Sequence, residues 1–321
     1  MTTPAPSQTV VEARVEAAIA AFADLDPATT LYRPALPAVA SPSYHAVESD
    51  SFDVVADGGK RRLFLRLGAD EVADLVNDEI AFLAATRLAD LGFSPRPLGR
   101  SAAQRAVFYA SLDAPWRAAK IDDLMQDEPA ARLIAMQKTI ASGVSFGRSW
   151  SVFDGIDQLW ALLQAADATL PDDAGWLLRA MAPIRDAIAA AGVDLKPAHG
   201  DPHSSNVMIG PHGALQLVDF DMAGDIDPYY QLGVHMNELF QFESQMKPLL
   251  EMHDGHVSDR AFNRCRLYAA ADDLYWALRG SLLEIRSPRR SVEFLKYAQW
   301  RFLRCRMLVG RPGFEELIRS L

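Results

Sequence analysis

The sequence predicts an α+β protein of two unequal lobes: a small β-rich lobe over residues 1–112 and a larger helical lobe over residues 113–321. Three observations carry that prediction. Residues alternate between apolar and polar on either side of an Asp57-Gly58-Gly59 turn, the pattern of a β-hairpin. From about residue 120 onward the apolar residues recur at helical spacing. One β interruption, over residues 206–221, is embedded in that helical run. Two unequal lobes imply a cleft between them, and clefts at such boundaries are where ligands bind.

In chain order, residues 9–25 read as an amphipathic, alanine-rich helix with spaced acids, and residues 26–43, with four prolines, read as a connector. Ser51–Val55 and Arg62–Leu67 are the hairpin strands. A helix follows near 70–91, stopped by Gly92 and then by Pro95 and Pro97, and Ala106–Tyr109 reads as a further strand. Helices are expected near 129–142, 152–167, 172–191, 228–250, 258–284 and 289–308.

Composition narrows the function. A formal net charge of −10 argues against a general nucleic-acid partner. From Arg260 to the end thirteen Lys or Arg face six Asp or Glu, which reads as a solvated helical surface. Two cysteines, Cys265 and Cys305, make no disulfide framework and fit a reducing compartment. No basic start leads into a long apolar run, and no stretch approaches about 18 uninterrupted apolar residues. The expectation is a soluble, cytoplasmic protein without a membrane partner.

The informative stretch runs from His199 to Asp221. His199-Gly200-Asp201-Pro202 forms a loop in which glycine and proline forbid a helix. Asn206 starts one short strand, Gly210-Pro211-His212-Gly213 turns the chain, and Asp219 ends the return strand, so Asn206 and Asp219 emerge side by side. Two carboxylates and an amide then converge, and oxygen donors suit magnesium. Phosphoryl transfer needs this set: metal ligands, here Asn206 and Asp219, and an aspartate, Asp201, to accept the proton of the attacking hydroxyl. A zinc site on His199 and His203, four apart, is the competing reading, and Gly200 and Pro202 argue against the helix it would need. His199 is expected to hold the loop through hydrogen bonds.

His199-Gly200-Asp201, Asn206 and Asp219-Phe220-Asp221 together resemble the signature of the aminoglycoside phosphotransferase and choline kinase superfamily. Leu232–Glu238, Asp272–Leu278 and Tyr297–Phe302 resemble segments of its choline/ethanolamine kinase branch, and the likeness spans roughly residues 45–308. The resemblance implies a protein-kinase-like fold that uses ATP and Mg²⁺ to phosphorylate a hydroxyl of a small molecule, choline-like or an amino alcohol. It implies that Arg66 grips the nucleotide phosphates and pairs with Glu79, that Asp221 supports the loop, and that Glu238, Trp276 and Tyr297 form the substrate pocket. Three departures stand out. The nucleotide loop, Tyr44–Phe52, has no glycine and carries Glu48 and Asp50. Gln231 replaces an aspartate that supports the loop. Arg279 stands where the branch has a second tryptophan, either to pair with Glu238 or to recognise an anionic group on the substrate. The same chemistry on an aminoglycoside, sugar, homoserine or other metabolite is therefore a second reading, and a non-catalytic binding protein a third.

Overall fold

A computed structural model describes residues 6–41 and 44–321. The start of the chain before residue 6, and residues 42 and 43 at the end of the expected connector, lie outside the described residues.

The small lobe contains α1 (Pro6–Ala21), β1 (Leu31–Leu36), β2 (Val39–Ser41), β3 (Tyr44–Ala46), β4 (Ser49–Ala56), β5 (Arg61–Gly68), α2 (Asp78–Asp90), β6 (Pro97–Ser101) and β7 (Ala106–Ala110). Five of these strands form one antiparallel sheet in the order β1-β4-β5-β7-β6. The expected hairpin is β4–β5, with Val54 opposite Leu63 and Phe52 opposite Leu65. Alternation then sends Leu63, Leu65 and Leu67 to one face and Arg66 to the other. The leucine face packs under Val15, Ala18 and Ile19 of α1, so the N-terminal helix is the outer cover of the sheet. Arg14 fastens its end by donating to the carbonyls of Gly68 and Gln104, each at 2.9 Å.

The helical lobe follows with β8 (Arg117–Ala118), α3 (Ile121–Leu124), α4 (Asp127–Ala141), α5 (Val152–Ala165), α6 (Ala174–Ala191), β9 (Lys196–Ala198), β10 (Val207–Ile209), β11 (Leu215–Leu217), β12 (Gly224–Ile226), α7 (Pro228–Leu239), α8 (Glu243–Asp254), α9 (Asp259–Arg286), α10 (Phe294–Val309) and α11 (Phe314–Arg319). The spine is α9, buried almost continuously from Phe262 to Leu283 and packed against α5, α7 and α10. Its buried residues include Arg264, Arg266, Asp272, Asp273 and Arg279, so the helical lobe carries ionic pairs inside.

Three expected elements differ. The helix expected near 70–91 starts at Asp78, because Asn77 caps it by accepting the Ile80 N–H at 3.1 Å, and residues 70–72 form a separate 3₁₀ turn. The helix expected near 228–250 is two helices, parted by extended backbone at Phe240 and Phe242. The connector over 26–43 contains β1 and β2. Among the described residues no helix is long and apolar enough to cross a membrane.

Candidate active site

The loop that carries Asp201 is assembled from short-range bonds. Gly200 sits at φ 86°, and a Cβ there would stand 2.0 Å from the carbonyl oxygen of Met222, so only glycine lets the two loops touch. Its N–H donates to Gln231 Oε1 at 3.1 Å, so Gln231 itself supplies the loop support expected of an aspartate. The His199 ring bonds to backbone on both sides: Nδ1 accepts from the Asp201 N–H at 3.3 Å and Nε2 meets the Val218 carbonyl at 2.9 Å. Because β10 and β11 pair Val207 with Leu217, and the Val218 N–H donates to the Asn206 carbonyl at 3.0 Å, Asn206 and Asp219 leave the hairpin at the same end.

There the side chains interlock. Asn206 Nδ2 donates to Asp201 Oδ2 at 2.8 Å. That bond uses the amide nitrogen and leaves Asn206 Oδ1, its one metal-capable atom, without a protein donor among the described residues. Asp219, in left-handed backbone at φ 63°, accepts from Arg66 Nη2 at 3.1 Å, and Asp221 accepts from the same nitrogen at 2.5 Å. Arg66 thus reaches across from β5 of the small lobe to the end of the β10–β11 hairpin. Burial pushes the Asp219 carboxyl up, Arg66 opposes the shift, and the nearby Glu48 and Asp201 carboxylates add to it. Burial likewise raises Asp221, to about 6. Crowded, partly desolvated carboxylates beside an amide oxygen are a donor set that a hard divalent cation would relieve. Asp201 goes the other way: burial would raise it, but His203 and His199 hold it below the usual carboxylate range. It is therefore ionised.

Three expected contacts are replaced. Glu79 does not hold Arg66: its carboxylate, largely exposed, takes Arg100 at 2.6 Å, while Arg66 Nη2 is taken by Asp219 and Asp221. Both residues line a cavity of about 530 Å³ between α2, the sheet edge and Arg148, at whose rim Glu79 sits. Glu238 spends its carboxylate on the loop, accepting from the Ser204 N–H at 2.9 Å and the Ser204 hydroxyl at 2.8 Å, because the 3₁₀ turn that delivers Asn206 needs an acceptor for its first N–H. Arg279 pairs with Glu48 at 2.6 Å, not with Glu238, and also donates to the Tyr275 hydroxyl at 2.7 Å. Glu48, one of two acids in the glycine-free loop, is thereby turned into the protein and buried.

Trp276 and Tyr297 are buried side by side with the His45 ring between them, at 4.9 and 4.7 Å from the two centroids. Guanidinium groups already face both: Arg279 lies 5.5 Å and Arg301 6.0 Å from the Trp276 ring, and Arg301 lies 5.5 Å from that of Tyr297. Two further residues touch the centre: His203, read from the sequence only as a zinc ligand, and Arg301, part of the Tyr297–Phe302 segment but with no expected role of its own. His203 Nδ1 bonds Asp201 Oδ1, and His203 Nε2 meets Arg301 Nη2 at 2.7 Å. The signal for His203 is its place two residues after Asp201; that for Arg301 is the Tyr297–Phe302 segment, although nothing local pairs it with His203, ninety-eight residues away.

Against known proteins, the sequence matches the Phosphotransferase enzyme family over residues 45–268, more than half of the chain. The chain belongs to the phosphotransferase enzyme family. Among curated proteins none matches the sequence. Among solved structures, a choline/ethanolamine kinase family protein from Mesorhizobium loti is similar at 24% identity and TM-score 0.75, with 97% of this chain and 98% of that one covered. The choline kinase LicA from Streptococcus pneumoniae is similar at 14% identity and TM-score 0.75, covering 95% of this chain and 99% of that one, and LicA is also known in complex with AMP. The GDP complex of an aminoglycoside 2'-phosphotransferase is similar at 13% identity and TM-score 0.61, covering 96% and 99%. At these identities the likeness is one of fold, and it places this phosphotransferase-family chain among two-lobed, kinase-like proteins.

Proposed function

We propose that this protein is an ATP-dependent kinase of a small hydroxylated molecule. The observation that carries the reading is the Asp201–Asn206 bond at 2.8 Å beside the Arg66–Asp219 bond at 3.1 Å, which gathers base, amide and carboxylate at the junction of the lobes. Asp201 takes the proton of the acceptor hydroxyl as its oxygen bonds to the γ-phosphorus and the bond from that phosphorus to the β–γ bridging oxygen breaks, leaving ADP. Asn206 Oδ1 and Asp219 hold magnesium, which when bound neutralises the phosphate charge. Arg66 presents its guanidinium to the nucleotide phosphates.

For the acceptor, the choline and ethanolamine kinases of similar fold support a choline-like molecule or amino alcohol. A specific observation favours the second reading, an aminoglycoside, sugar, homoserine or other hydroxylated metabolite. Arg279 and Arg301 already occupy the ring faces of Trp276 and Tyr297, and Glu238 is engaged by Ser204, so the elements that attract a quaternary ammonium are spent within the protein. The test is ADP release with Mg·ATP across a panel of choline, ethanolamine, homoserine, monosaccharides and aminoglycosides, with Asp201→Ala alongside. Turnover on one acceptor class, abolished in Asp201→Ala, is the expected result. Undiminished turnover in Asp201→Ala would sink the assignment. Stabilisation by Mg·ATP without turnover on any acceptor would favour a non-catalytic nucleotide-binding protein.

A further inference from the structure

The bond that His203 makes to Asp201 has a direction that the far side of the ring dictates. His203 Nε2 lies 2.7 Å from Arg301 Nη2. A guanidinium has donors only, so Nε2 must offer its lone pair. A neutral imidazole whose Nε2 accepts carries its proton on Nδ1, and Nδ1–H therefore donates to Asp201 Oδ1.

Arg301 is not free to yield. It is buried, with Nη1 donating to Asp273 at 2.8 Å and to Asp272 at 3.3 Å, and Nε donating to the Tyr297 hydroxyl at 3.0 Å. Asp272 is held in turn by the Tyr230 hydroxyl at 2.8 Å, and Asp273 by Asn237 at 2.9 Å and Arg304 at 3.1 Å. The tautomer of one ring at the reaction centre is thus set by a charged network in the core of α9 and α10. With Asn206 donating to Oδ2, the Asp201 carboxylate is held by one donor on each oxygen, which fixes its plane and leaves each oxygen a lone pair for an incoming hydroxyl.

We propose that His203 is a positioning residue for phosphoryl transfer: an imidazole locked by Arg301 in the Nδ1–H form, whose task is to aim the Asp201 carboxylate at the acceptor hydroxyl. The inference rests on the assignment of Asp201 as the base. His203 is not itself the base, because a proton on Nε2 would confront the Arg301 donor.

Two readouts test it. The first needs no substrate: ¹⁵N–¹H correlation of the imidazoles in the full-length protein is expected to show His203 as the Nδ1–H tautomer, with its proton shifted far downfield. An Nε2–H tautomer, or an imidazolium protonated on both nitrogens, would overturn the proposal. The second is kinetic, on the acceptor that the panel identifies. His203→Ala is expected to lower kcat by about 10- to 100-fold with little change in KM for ATP. His203→Asn, whose amide can donate from near the Nδ1 position, should recover much of the loss; His203→Gln, whose amide reaches the Nε2 position, should not. If His203→Asn is as slow as His203→Ala, or His203→Ala turns over like wild type, positioning is refuted. Asp201→Asn separates the two levels. If it is inactive while His203→Ala is fully active, only the role of His203 falls; if it too is fully active, the assignment of Asp201 falls and the present inference with it.

Discussion

Gly200 and His235 show how single positions set the conditions for the site. A methyl on Gly200 meets a backbone carbonyl, which cannot rotate away as a side chain would, and the residue must also hold a left-handed φ. Gly200→Ala should destabilise the protein by about 1–3 kcal/mol and lower turnover further than that loss explains, because the strain falls one residue from Asp201. Urea midpoints measured beside kcat check both parts. His235, on α7, is buried against the Gln137 amide at 2.7 Å, and burial pushes its imidazole down from 6.5 to about 3. Below pH 6.5 the unfolded chain binds a proton that the folded chain refuses. Its contribution to stability is therefore complete above that pH and is lost as pH falls towards 3. The stability of the wild type should drop by up to about 1.4 kcal/mol per pH unit across this window on account of this residue. His235→Gln should flatten the slope without removing it, since burial also takes His45 down to about 3. An unchanged slope between pH 7 and pH 5 in urea titrations would contradict the buried neutral ring.

At the scale of elements, contact between helices depends on Gly233. A Cβ there would stand 2.3 Å from the Cys265 carbonyl oxygen, so α7 lies directly on the backbone of α9. Gly233→Ala should force the two apart at a cost of about 1–3 kcal/mol. Because α7 carries Gln231 and Glu238, which hold the loop, and α9 carries Trp276, the variant should also lose affinity for the acceptor more than for ATP; equal losses would argue against this geometry. The same elements show what sequence pattern can carry. Period-2 alternation gave the β4–β5 hairpin, and helical spacing placed α5, α6 and α9, because each has one consistently buried face or is buried throughout. The break between α7 and α8 was not legible: residues 239–242, Leu-Phe-Gln-Phe, contain neither proline nor glycine, and tertiary packing sets the extended backbone there. The strand β1 was hidden by Pro34, which is tolerated because β1 is the sheet edge and pairs only with β4. The start of α2 lies later than expected because residues 70–72 form a separate 3₁₀ turn and the cap is Asn77.

For the whole molecule, the lobes are joined through buried or half-buried charge. Arg66 of the small lobe meets Asp219 and Asp221; Glu48 meets Arg279 at 2.6 Å; Arg289 meets Glu71 at 2.6 Å. The triad of Asp201, Asn206 and Asp219 was legible because it lies within nineteen consecutive residues whose turn chemistry fixes their relation. Cross-lobe partners were not: Glu48 and Arg279 are separated by 231 residues, and nothing local selects that pair among 32 basic and 42 acidic side chains. The Glu48–Arg279 pair is the most deeply buried of these links, with side-chain exposures of 5% and 1%, and Arg279 Nη2 lacks any partner among the described residues. Removing one charge would strand the other in a low-dielectric setting. Glu48→Gln should therefore destabilise the protein by about 3–5 kcal/mol, whereas Glu48→Gln combined with Arg279→Met should recover much of that loss, because the desolvation of both ions is then avoided. A double-mutant cycle by chemical denaturation measures the coupling. If Glu48→Gln is as stable as wild type, charge pairing is not what closes this face of the cleft, and the apolar contacts of Val47 with Val72, Leu283 and Phe294 must hold it instead.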